Sequence, residues 1–195
     1  KGREDALTAA KVAAQPLFRR LFPAEVLEPG QLVNVSNVAL LMVEVAGADD
    51  EATRELTDSG SFAGRYALFR RLEEKTSAEG GSVVKIAGEG VVAVFGDVAA
   101  AVRAALSFGD DPLPLRVAVH QGPAAAVTLD EHIDYFGRTV RETTRLLTCG
   151  GARELVLSEV AALDPAVLPL TAPRGTRARV DTTLGVPVQR VPLQG

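Results

Sequence analysis

The chain has 195 residues, 47% of them apolar and 24% charged, and a net charge of −4. That length builds one soluble, globular domain with a substantial core and leaves no room for a second of ordinary size. The acidic balance disfavours a non-specific nucleic-acid binder, and no apolar run approaches the roughly 20 residues that cross a bilayer. A single cysteine, Cys149, excludes an internal disulfide and suits a reducing cytoplasm, while two histidines, His120 and His132, make a His-rich zinc centre a poor expectation. Any metal held here would be a hard cation on carboxylates. The chain starts at Lys1 rather than Met and is read as a piece of something longer.

In chain order, residues 5–22 carry Leu7, Val12, Leu17 and Leu21 at helical spacing, broken by Pro16, which predicts a two-piece lead-in helix. Residues 1–30 are assigned as a helical lead-in and linker, and 31–195 as the domain. "NVALLMVEVAG" is an apolar run with one acid, Glu44, near its end, as expected of a strand buried on both faces. Residues 46–60 are polar and acidic. "SFAGRYALFRRLEEKTSAEGG" predicts an amphipathic helix with Phe62, Tyr66, Phe69 and Leu72 on its apolar face and a Gly-Gly stop.

"SVVKIAGEGVVAVFG" reads as a hairpin around a Gly-x-Gly tip. A short Ala-rich helix follows at "DVAAAVRAALSF", then a buried strand with its continuation at "LPLRVAVHQGPAAAVTL". "FGRTVRETTRLLTCGG" predicts a helix ended by Gly150 and Gly151, "ELVLS" a strand, "EVAAL" a short helix, and the tail a hairpin turning at Gly185. The order β-α-β-β-α-β with later additions predicts an α+β fold: a ferredoxin-like sheet with helices on one face, plus C-terminal additions.

Five stretches in this order resemble the class III nucleotidyl cyclase catalytic domain: "ALLMVEVAG", "GGSVVKIAGEGVVAVF", "LRVAVHQGP", "DYFGRTVRETTRLL" and "LGVPVQRVPL". The resemblance covers residues 32–192, and the lead-in "LFPAEVLEPGQL" is similar to the segment before the domain in one bacterial subgroup. It implies cyclisation of ATP to cyclic AMP and pyrophosphate, with two Mg2+ or Mn2+ ions stabilising the attacking and leaving oxygens. The family's two metal-holding aspartates correspond to Glu44 and Glu89, with the backbone of Val45 beside them. The base-reading pair corresponds to Lys85 and Asp134, an adenine-type pair, and Gly47 lies on the substrate side. The ribose-orienting Asn and the transition-state Arg correspond to Arg141 and Arg145. Each site in the family is built from two chains, so a homodimer, or a heterodimer with another cyclase domain, is implied, as is an upstream regulatory domain.

Three departures bear on activity. Both metal positions carry Glu, one methylene and about 1.5 Å longer than Asp, where a misplacement near 1 Å costs about 100-fold. Arg141 has five donors and no acceptor, so it does not replace an amide in both of its roles. Asp49, Asp50 and Glu51 stand where a phosphate-cradling loop is expected, and like charge opposes a polyphosphate there. The expectation is a catalytically weak or inactive domain that senses nucleotide and dimerises, with an active Mn2+-preferring adenylate cyclase as the alternative; the cofactor is then Mg2+ or Mn2+, or none.

Plainer readings stand beside these. Glu89 is an ordinary turn acid, a relic or an altered ligand. Glu44 pairs with an arginine such as Arg141 or Arg145 instead of a metal. Lys85 snorkels to solvent, Asp134 caps the next helix, His120 is a hydrogen-bonded structural residue, and Cys149 is packing.

Overall fold

The computed structural model describes residues 32–47, 62–87, 90–129, 132–181 and 186–194. The expected lead-in helix, Asp49 to Glu51, Glu89 at the hairpin tip and the turn at Gly185 lie outside these residues.

Strand β1 (Leu32–Val45) is buried from Val38 to Val43, because both of its faces are covered. Ala39, Leu41, Val43 and Val45 point into one core layer, and Leu40 and Met42 into the other, as the two-residue period of a strand requires. Helix α1 (Phe62–Ala78) leads to the hairpin β2 (Ser82–Ala87) and β3 (Gly90–Phe95), and helix α2 (Val98–Ser107) leads to β4 (Leu115–Leu129). These pack as β2-β3-β1-β4, the order of a split βαβ sheet, with α1 and α2 both on the first layer.

The apolar face of α1 differs from expectation. Leu68, Leu72 and Thr76 are buried with Phe69 partly so, whereas Tyr66 is 57% exposed. Tyr66 precedes Leu68 by two residues, roughly 200° around the helix, so packing Leu68 turns Tyr66 outward. The Gly-Gly stop is as expected: Gly80 adopts φ 75°, and the Gly81 amide donates to Thr76 O at 3.0 Å. Asp97 caps α2 by accepting from the Ala100 amide at 2.8 Å, and the alanines of α2 let it approach the sheet closely. Arg71 of α1 binds the buried Asp111 at 2.8 Å, tying α1 to the segment after α2.

The additions begin with β5 (His132–Phe136), a strand absent from the expected order, which pairs with the distal half of β4. The proximal half of β4 pairs in parallel with β6 (Glu154–Ser158), so one long strand serves two neighbours along the same edge. Helix α3 (Arg138–Cys149) lies on the second layer, burying Leu146 and Leu147 against Met42, Ala118, Val156 and Val188. Short helices α4 (Glu159–Ala162) and α5 (Leu168–Thr171) precede the final hairpin, β7 (Arg177–Asp181) and β8 (Val186–Pro192), which extends the sheet beyond β6. The helices of the ferredoxin-like unit therefore occupy one face, and the added α3 covers part of the other.

Candidate nucleotide site

Glu44 sits near the end of β1, opposite Arg116 of β4 on one side and Gly90 of β3 on the other. Its Oε1 accepts from Nε and Nη2 of Arg116. The side chains of both partners are about 30% exposed, so the pair is half-buried. The acid's partner is therefore Arg116, one strand away, and not Arg141 or Arg145. Sequence reading missed it because the cross-strand register, which no local spacing encodes, decides which residue faces Glu44. Val45 is buried and ends β1; Gly47, at φ 71°, makes the left-handed turn that follows it.

A divalent cation of the Mg2+ or Mn2+ type needs several oxygens at one point. Of the two expected acids only Glu44 is described, and one of its oxygens is engaged by a guanidinium. Among the described residues no group of three or more His, Cys, Asp or Glu converges on a possible cation position. The described residues thus do not by themselves form a metal centre.

Lys85 and Asp134 are brought together. Lys85 Nζ lies 3.2 Å from Asp134 Oδ2, joining β2 to β5 across 49 positions of sequence. Asp134 also accepts from the Tyr135 amide at 2.8 Å, which orients its carboxylate. It does not cap α3, whose N-cap is Gly137 with no side-chain hydrogen bond. Lys85 reaches toward solvent, as a snorkelling lysine does, yet ends on an acid. The pair presents a donor and an acceptor together at an accessible surface, which is the equipment needed to read the edge of a base. Phe136, two residues along β5 from Asp134, is an exposed apolar side chain, as is Ile86, which follows Lys85 and so faces the other side of β2.

Arg141 and Arg145 lie one helical turn apart on α3, both exposed. Arg145 also lines a pocket of about 350 Å3 between α3 and the β6–α4 junction, with His120, Glu142, Ser158 and Val160 among its other walls. His120 joins three elements there: Nδ1 lies 2.8 Å from Ser158 Oγ and Nε2 3.0 Å from Glu142 Oε2. Burial alone would raise the Glu142 carboxyl, but Arg138 and His120 together hold it below the usual carboxylate range. An ionised Glu142 only accepts, so Nε2 carries the hydrogen and Nδ1 accepts from the Ser158 hydroxyl. This is the hydrogen-bonded histidine expected from sequence. Cys149 donates to Arg145 O at 3.2 Å within α3.

Burial pushes the His120 pKa below its ordinary 6.5, and the Glu142 carboxylate offsets only part of that shift. The unfolded chain then binds a proton more readily than the folded one. Stability is full above pH 6.5 and is lost as pH falls from 6.5 toward the folded value. Glu142 adds its own loss only below its ordinary 4.5. Chemical denaturation followed across this range should show the slope between 6.5 and 4.5 flattened in His120→Gln.

No protein-family model matches the chain, and no curated protein matches it by sequence. Solved structures do. The chain has the fold of the catalytic domain of class III nucleotidyl cyclases. It is similar to the catalytic core of a rhodopsin-guanylyl cyclase with converted specificity in complex with ATPαS, at TM-score 0.67 and 15% identity, covering 83% of this chain and 98% of that one. It is similar to the guanylate cyclase domain of RhGC from Catenaria anguillulae in complex with GTP, at 0.62 and 14%, covering 84% and 100%. The adenylyl cyclase CyaB from P. aeruginosa matches at 0.63 and 16%, covering 83% and 95%. Among the described residues no helix is long and apolar enough to cross a membrane.

Proposed function

We propose that this chain is a nucleotidyl cyclase homology domain that keeps the base-reading half of a nucleotide site, has lost its metal half, and works as a dimerising, nucleotide-sensing module with little or no cyclase activity. The Glu44–Arg116 pair carries this reading. A carboxylate at the metal position is neutralised from within the chain, and the departures the resemblance assigns to Glu89 and Arg141 fall on the same half of the chemistry. Lys85 and Asp134, meeting at 3.2 Å, support retention of an adenine-type pocket. Phe136, exposed two residues along β5 from Asp134, supports a second chain closing over the pair. In this reading the module works in the cytoplasm of a cyclic-nucleotide signalling protein, paired with itself or with another cyclase domain and answering an upstream regulatory domain.

The retained Lys85–Asp134 pair also favours a second reading, an active adenylate cyclase using Mn2+ or Mg2+. Titration calorimetry with a non-hydrolysable ATP analogue, with and without Mn2+, followed by a cyclic-AMP assay, separates the two. Binding that is indifferent to Mn2+, with no product, is expected. Turnover at an ordinary enzymatic rate, about 1–1,000 per second, would overturn the proposal. Absence of binding would leave a dimerisation module alone.

A further inference from the structure

We propose that His120 is a positioning residue for the nucleotide site: through Glu142 it holds the turn of α3 that carries Arg141 and Arg145. The inference rests on the nucleotide-binding reading above and goes beyond it by assigning a role to a residue outside the expected set.

Glu142 follows Arg141 directly and precedes Arg145 by three residues, so fixing its direction fixes theirs, since side chains on a helix are about 100° apart. Two hydrogen bonds hold it, from His120 Nε2 at 3.0 Å and from Arg138 Nε at 2.6 Å. The Arg138 bond lies within α3 and cannot set how the helix sits on the sheet. The His120 bond can, because His120 belongs to β4 and is itself held by Ser158 at the end of β6. Polar ties from α3 elsewhere include Thr139 Oγ1 to Pro123 O, at the helix start, and Thr144 Oγ1 to Met42 Sδ at 3.5 Å, a weak bond to sulfur. The apolar contacts beneath α3 include the small Ala118 and are not directional. On the flank where His120 meets Glu142 there is a pocket of about 350 Å3. On that side the hydrogen bond adds direction to the packing of Leu146, which is a wall of the same pocket.

The test uses the whole chain and a non-hydrolysable ATP analogue. His120→Ala should weaken analogue binding by about ten-fold, the loss of one charge-assisted hydrogen bond. His120→Gln, whose amide can donate to Glu142, should restore it to within about three-fold. In an Arg141→Ala/Arg145→Ala background, His120→Ala should cost nothing further, because a residue acting through these two arginines has nothing left to position. Hydrogen exchange read in parallel should show faster exchange in α3 and no change in α1. Equal losses in both backgrounds, or no selective change in α3, would overturn the inference. If the wild-type chain binds no analogue, the nucleotide reading falls, and exchange alone then decides whether His120 holds α3.

Discussion

Gly81→Ala is expected to destabilise the domain by about 1–3 kcal/mol, the cost of forcing a methyl into a packed core. Gly81 is buried at the turn from α1 into β2, and a Cβ built there would lie 2.3 Å from Phe95 Cε1 and 2.5 Å from Cζ. The Phe95 ring is 2% exposed and locked among α1, α2 and the sheet, so it has nowhere to swing. Phe95→Ala alone should cost about 3–5 kcal/mol, the usual figure for emptying a buried phenylalanine site. The two changes should not add. The new methyl enters the space the ring vacates, so the double variant should fall short of the sum by about 1 kcal/mol or more. Denaturant midpoints of the four proteins give this directly, and strict additivity would mean the backbone near Gly81 shifts rather than the ring. The effect bears on function because this close approach seats β2, and with it Lys85, against β3.

Asp134→Ala should produce the opposite pattern, a large loss of binding with little loss of stability. The Lys85 side chain is 54% exposed, and an ion pair open to solvent contributes only about 0–1 kcal/mol to folding. A base edge enclosed between two chains gains more from the same carboxylate, about 1.5–3 kcal/mol for a hydrogen bond to a charged group, or roughly 10- to 150-fold in affinity. Calorimetry with the ATP analogue beside a thermal melt reads both quantities. A melt lowered by many degrees with affinity unchanged would make the pair a structural clasp between β2 and β5.

The particular residues show where sequence reading reached and where it stopped. The run from Val38 to Val43 announced a strand covered on both faces, and it is one. Gly80 and Gly150 mark helix ends by local chemistry and do so in the fold. β5 was missed because five residues, "HIDYF", are too short to show a period, and the strand exists only because β4 is long enough to offer it an edge. The Tyr66 stripe was misread for a related reason: several helical faces of α1 carry apolar residues, and the sheet beneath chose Leu68 and Leu72.

The sequence by itself determined the element types apart from β5, the order that yields a β2-β3-β1-β4 sheet, and part of the set of residues worth watching, because these follow from local periodicity, turn residues and motif order. Only the tertiary structure decided who meets whom. That Lys85 reaches Asp134, that Arg116 rather than an α3 arginine neutralises Glu44, and that His120 ties β4 to α3 are all contacts between residues at least 22 positions apart. Such pairings depend on strand register and on which face a helix covers. Burial across the whole sheet sets both, and no single stretch of sequence carries that information.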